Sequence, residues 1–176
     1  IDQYAAEIKD DRKNIQPGDA VYLVVEDDLT FAQILLDILR EKGIKVVFTT
    51  QGTKVLEFAR HYKPMAITLD IGLHDGNGAT VINQLKNDLE VRHIPICLIT
   101  VQDESIALLQ QGAFTYLCKP ITQEELENAT DRIKQFVENP IRSLLIISNN
   151  KEELKQAIEI IDNTDIKITA VDTGRK

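Results

Sequence analysis

The sequence predicts an α/β fold built on an open parallel sheet with helices on both faces, and three observations predict it. Short β-rich runs alternate with amphipathic stretches, the pattern of strands joined by crossover helices. The runs are Ala20 to Val25, Ile44 to Thr49, Met65 to Leu69, Ile94 to Ile99 and Ala113 to Cys118. Residues able to do chemistry stand where four of them end: Glu26-Asp27-Asp28, then Asp70, then Thr100, then Lys119-Pro120. In an open parallel sheet the carboxyl ends of the strands line one crevice, so residues far apart in sequence meet there.

Taken in order, residues 1–18 carry Ile1, Tyr4, Ala5 and Ile8 as a thin apolar stripe ended by Pro17-Gly18. That stripe predicts a linker helix, with the tail of an upstream coiled coil as the sharper alternative. After the first run, Phe31, Ile34, Leu35, Ile38 and Leu39 recur at helical spacing, and so do Val81, Ile82 and Leu85 after the third. Thr122-Gln123-Glu124-Glu125 reads as a capping box opening a last helix that turns Leu126, Ile133 and Val137 inward. Five strand and helix pairs in the order 2-1-3-4-5 are expected over residues 19–138.

From residue 139 on, something repeats. Adding 122 to the numbering lays Leu144-Leu145-Ile146-Ile147-Ser148-Asn149 over Tyr22-Leu23-Val24-Val25-Glu26-Asp27, and the same offset sets Ile166-Lys167 on Ile44-Lys45 and Gly174 on Gly52. Repetition at domain length predicts the start of a second copy of the fold over residues 139–176, a partial β-α-β unit, because solenoid repeats are shorter. Its acid pair has become Ser148-Asn149, so it is expected to be degenerate.

Composition narrows the function. The formal charge of −8 argues against nucleic-acid binding and against contact with an anionic membrane, both of which need a basic stripe. No apolar stretch approaches the roughly 20 residues of a membrane span and no secretory signal opens the chain, so a cytoplasmic location is expected. Cys97 and Cys118 fall inside apolar runs and read as small buried hydrophobes. The first residue is Ile1, which suggests a piece of something longer.

The crevice has its own chemical logic. An acidic cluster at one strand end reads, alone, as a solvated turn and helix cap, but Asp70, Thr100 and Lys119 at the neighbouring ends turn it into a pocket. Crowded carboxylates repel one another, and a hard divalent cation with oxygen ligands, Mg²⁺ above all, relieves them. Asp70 could then attack phosphorus to make an acyl phosphate, with Lys119 and Thr100 stabilising the phosphoryl oxygens. His61, His74 and His93 have no metal-ligand spacing and read as surface or loop residues. Asp70-Ile71-Gly72 lacks the second aspartate of an aspartate-based phosphatase, which argues against a small-molecule hydrolase.

Residues from about Asp19 to Glu138 resemble a receiver domain of bacterial two-component signalling, the response-regulator fold. The motifs are Val24-Val25-Glu26-Asp27-Asp28, Asp70-Ile71-Gly72-Leu73 with Gly78 eight residues on, Leu98-Ile99-Thr100, and Tyr116-Leu117-Cys118-Lys119-Pro120. The resemblance implies a flavodoxin-like fold in which Asp70 is the phosphoacceptor, Thr100 the switch hydroxyl, Tyr116 the switch aromatic and Lys119 the phosphate-sensing cation. It further implies that Mg²⁺ is held by Glu26, Asp27, Asp70 and the backbone carbonyl of Gly72. The phosphoryl donor would be a histidine kinase or a histidine phosphotransfer domain, and a homodimer is a further expected assembly. The chemistry implied is self-phosphorylation and autodephosphorylation only, within a parent resembling a hybrid sensor histidine kinase. The alternative is a degenerate receiver acting only as a protein-interaction module. Three positions depart from the family pattern: His74 where proline is common, Val101 where a small residue is common, and the polar Gln102. The face expected to respond to phosphorylation runs from a helix beginning near Asp103 through Tyr116 to the helix after Thr122.

Overall fold

The structure is a computed structural model that describes residues 8–75, 77–101, 109–138, 142–161 and 166–171. Its elements, in chain order, are β1 (Val21–Val25), α1 (Leu29–Glu41), β2 (Lys45–Thr49), a 3₁₀ turn (Gly52–Lys54), α2 (Val55–Tyr62), β3 (Ala66–Asp70), α3 (Gly78–Asn87), β4 (Ile96–Thr100), β5 (Thr115–Cys118), α4 (Gln123–Glu138), β6 (Arg142–Ile147), α5 (Lys151–Ile161) and β7 (Ile166–Val171). The first five strands form one parallel sheet in the order β2-β1-β3-β4-β5, as the sequence predicts. The chain divides into two compact units, residues 1–133 and 134–176.

In the first unit, β1, β3 and β4 are buried along their whole length. This explains why they read as continuous apolar runs rather than alternating ones, since a parallel strand between helical layers has no solvent face. One face of the sheet packs Val21, Leu23, Val25, Ile67 and Leu69 against Val55 and Ala59 of α2 and Val81, Ile82 and Leu85 of α3. On α1 the buried stripe is Ala32, Leu35, Leu36, Ile38 and Leu39, so the expected stripe is displaced: Ile34 is 50% exposed and Phe31 is only half-buried. The reason is phase, because Ala32 and Leu36 bring the inward face one position further round the helix. At α4 the capping box forms as expected. The Thr122 amide donates to Glu125 Oε2 at 2.8 Å, and the Glu125 amide donates back to Thr122 Oγ1 at 3.2 Å. Leu126 and Ile133 are buried, whereas Val137 is half-buried.

The expected linker helix over residues 1–18 has its first seven residues outside the described ones, and residues 8–18 are bends and turns rather than helix. Their course is set by the open edge of β2. The Asp11 amide donates to the Val46 carbonyl at 2.8 Å, and the Val46 and Phe48 amides donate to Asp11 Oδ2 and Asp10 Oδ2, each at 2.9 Å. Arg12 Nη2 donates to the Phe48 carbonyl at 2.7 Å, and Arg40 holds Asp11 through a 3.1 Å ion pair. Two carboxylates and a guanidinium thus stand where a further strand would, satisfying edge groups that would otherwise invite pairing.

In the second unit, β6 and β7 pair in parallel and α5 connects them. No side chain of α5 is buried.

Candidate functional site

β1 delivers its acids to the sheet's carboxyl rim. Glu26 is fully buried and its amide donates to the Thr49 carbonyl at 3.2 Å, which anchors it between β1 and β2. Asp28 has a different task. It is the N-cap of α1, with Oδ1 accepting from the Thr30 and Phe31 amides at 2.9 and 3.1 Å. The other two acids meet Asp70 from the end of β3, and one oxygen from each of Glu26, Asp27 and Asp70 lies within 4.8 Å of the others.

Lys119, just past β5, reaches into this group. Its Nζ lies 2.6 Å from Asp70 Oδ2 and 3.0 and 3.1 Å from the two Glu26 oxygens, and it sits 4.6 Å from the centroid of the Phe31 ring. Its amide donates to the Thr100 carbonyl at 2.7 Å, tying the lysine to the end of β4, and the following Lys119–Pro120 peptide is cis. Thr100 is buried at that strand end. Tyr116 lies further down β5, paired in register with Leu98, and is 37% exposed, so the structure sets it beside the crevice rather than among the charges.

The turn after β3 is held in several ways. The Gly72 amide donates to Asp70 Oδ1 at 2.8 Å, fixing the carboxylate's orientation. Asp75 accepts from the Gly52 amide at 2.8 Å and from Thr53 Oγ1 at 3.2 Å, which fastens this loop to the one after β2. Gly78 opens α3 so close to the loop that a Cβ there would lie 2.9 Å from the Ile71 Cα, closer than real side chains come. His74 contacts the other acid, with Nδ1 against Asp27 Oδ2, although its side chain is mostly in solvent. Spacing could not reveal this contact, which joins loops 47 residues apart. The one hint in the sequence is that an imidazole stands where the resemblance leads one to expect proline.

The pocket separates its carboxyls electrostatically. Burial pushes Glu26 up, the neighbouring Asp70 carboxylate adds to the shift, and Lys119 only partly offsets both, leaving it at about 8. Burial also works against an ionised Asp70, but hydrogen bonds from Lys119, from Glu26 and from the Gly72 amide outweigh it and hold Asp70 below the ordinary carboxylate range. Lys119 is disfavoured by burial and favoured more strongly by its two carboxylates, so its pKa rises. Asp70 is therefore an ionised, oriented, partly neutralised carboxylate at a crevice. This is the state an oxygen nucleophile requires.

Two expectations at the rim need correction or limits. Cys97 is buried, and burial pushes its thiol up to about 12, but Cys118 is exposed. The apolar run around Cys118 misleads because β5 is an edge strand on which Tyr116 and Cys118 share the uncovered side. Val101 is 70% exposed, whereas Gln102 and the start of the helix expected near Asp103 lie outside the described residues.

The chain is similar to several known proteins. The family model of the response regulator receiver domain matches residues 22–131. The polar-differentiation response regulator DivK of Brucella anthropi is 31% identical over 103 residues, covering 57% of this chain and 84% of that protein. Among solved structures, a two-component response regulator from Clostridium difficile is 29% identical with a TM-score of 0.61, covering 66% of this chain and 97% of its own. The receiver domain of a sensor histidine kinase from Pseudomonas aeruginosa, with a magnesium ion coordinated in its active-site cleft, superposes with a TM-score of 0.61 at 23% identity, covering 69% and 99%.

Proposed function

We propose, since the chain belongs to the response regulator receiver domain family, that Asp70 is the carboxylate on which its phosphoryl group is carried. The chain is a phosphoaccepting receiver domain of two-component signalling, and its partners are accordingly histidine kinases or phosphotransfer domains. The observation that carries the assignment is Asp70 itself, ionised and gripped on one oxygen by Lys119 and on the other by the Gly72 amide. In the transfer, an Asp70 oxygen forms a bond to phosphorus as the phosphorus–nitrogen bond of a phosphohistidine breaks, and the bonding pair stays on the departing imidazole, which takes up a proton. Lys119 then balances negative charge on the phosphoryl oxygens, and the Thr100 hydroxyl at the neighbouring strand end accompanies it as a donor. Tyr116, half out of the sheet, is the group whose repacking reports the change on the β5 side.

The pocket suits a divalent cation. Three carboxylates converge with oxygen donors only and with Lys119 as their counter-charge, a hard-ligand set that matches Mg²⁺. Asp27 and Asp70 would bind it directly, Glu26 through water, and the Gly72 carbonyl as a neutral ligand. When bound, the ion supplies positive charge against the carboxylates and the incoming phosphoryl oxygens. A module with lapsed chemistry is not favoured, because Glu26, Asp27, Asp70 and Lys119 are all present and converge. No helix among the described residues is long and apolar enough to cross a membrane, and the cytoplasmic reading rests on the receiver family.

The experiment is exposure to acetyl phosphate with Mg²⁺, read by intact mass. The chain should gain one phosphoryl group and the Asp70→Asn variant none; Mg²⁺-dependent labelling of that variant at an ordinary rate would remove Asp70 from its role.

A further inference from the structure

The second unit repeats the first at the level of individual hydrogen bonds. β1 and β2 pair from Val21↔Lys45 to Val25↔Thr49, and β6 and β7 from Ser143↔Lys167 to Ile147↔Val171, each pair being the earlier one with 122 added to both members. α1 begins at Leu29 and α5 at Lys151, the same interval. The Glu26 amide donates to the Thr49 carbonyl at 3.2 Å, and the Ser148 amide donates to the Val171 carbonyl at 3.2 Å. Asp28 caps α1 through the Thr30 and Phe31 amides, and Asn150 caps α5 through the Glu152 and Glu153 amides at 3.0 and 3.4 Å. Even the turn closes alike, with the Asp28 amide on Glu26 Oε1 at 3.2 Å and the Asn150 amide on Ser148 Oγ at 3.1 Å. Any parallel strand–helix–strand would share the handedness. Sharing a register, a cap and a turn at one fixed offset is what a duplicated unit requires.

Two features differ, charge and burial. Ser148, Asn149 and Asn150 replace three carboxylic acids, and the nearby Glu153 carboxylate accepts from the Ser148 hydroxyl at 3.2 Å. Cation affinity at such a turn follows the number of charged oxygens offered, so the substitution removes what makes the first pocket attractive to Mg²⁺. Leu23 and Val25 are fully buried, while their counterparts Leu145 and Ile147 are 57% and 54% exposed. The apolar run of β6 is that of a strand covered on both faces, yet among the described residues it pairs only with β7. Two strands and one helix cannot cover it, and a sheet that small is marginal.

We infer that residues 142–171 form a strand–helix–strand of a second receiver-type unit whose Ser148-Asn149-Asn150 turn takes no divalent cation. The first unit sets β3 against the second edge of β1, whereas among the described residues the corresponding edge of β6 carries no strand.

Both parts are tested on one isotope-labelled sample of the full chain. Substoichiometric Mn²⁺ should broaden amide signals around Asp27 and Asp70 and leave those of Ser148, Asn149 and Asn150 sharp; broadening at the latter three overturns the inference. Amide exchange should be at least about a hundredfold faster across Leu144 to Ile147 than across Tyr22 to Val25, as expected of an uncovered strand against a core one. Equal protection would make residues 142–171 a finished module and overturn the second-unit assignment. If Mn²⁺ broadens neither turn, the acidic-pocket reading of the first unit fails, and the exchange comparison still decides the nature of the second.

Discussion

His74 is a competitor for the acid it touches. Its imidazole engages a carboxylate oxygen of Asp27 that the proposed cation would otherwise use, and exposed pairs of this kind are worth roughly 0.2–1 kcal/mol. Replacing His74 with alanine should therefore raise Mg²⁺ affinity by up to about fivefold by titration calorimetry, and an unchanged affinity would mean that the imidazole does not compete. Much of the pocket was legible at this scale because Glu26, Asp27, Asp70, Thr100 and Lys119 each close an apolar run, and parallel topology turns that position into proximity. Asp28 was separable from its neighbours only through the resemblance, which leaves it out of the acid pair, since a helix cap and a metal ligand need the same side chain. His74 was not legible either, because no local pattern connects loops that meet only after the sheet has formed.

Among the elements, β1 carries an internal cost. Tyr22 is fully buried in it and its hydroxyl has no hydrogen-bond partner among the described residues; burial pushes its pKa well above the ordinary tyrosine value. An unsatisfied buried hydroxyl costs about 1–3 kcal/mol, so Tyr22→Phe should stabilise the chain by roughly 1 kcal/mol in denaturant unfolding, with no loss of phosphoryl uptake. Destabilisation would reveal a partner for that oxygen. Strand existence and order were readable because β1, β3 and β4 are apolar on both faces. The segment along β2 was not, since Asp10, Asp11 and Arg12 act on backbone groups of another strand, and a carboxylate standing in for a strand leaves no periodic trace. The apolar stripe of residues 1–8 suggested a helix, yet Ile8, the one member of it that is described, is buried at the start of that irregular segment.

At the scale of the molecule, residues 22–131 contain the matched domain and all of the proposed chemistry. A chain ending at Glu138 should accordingly gain a phosphoryl group from acetyl phosphate as readily as the full chain. Its dimer fraction in sedimentation should fall, on the reading that the exposed Leu145 and Ile147 drive self-association. Failure of the shortened chain to label would return residues 139–176 to the active domain. The acid cover on β2 carries a different consequence, one of colloidal behaviour. Burial disfavours the Asp11 carboxylate, but Arg40 and the Val46 amide outweigh it and hold its pKa below the ordinary 3.8. Its contribution to stability is thus complete above that value and disappears as pH falls through the lower, folded-state one. Below that point the Asp11 carboxylate accepts a proton, its ion pair with Arg40 is lost and its hold on the Val46 amide weakens, so the edge of β2 is less firmly covered. Light scattering should then rise with acid, and an Asp10→Ala/Asp11→Ala chain should scatter already at neutral pH, polymerising sheet to sheet through the margin that two aspartates keep closed.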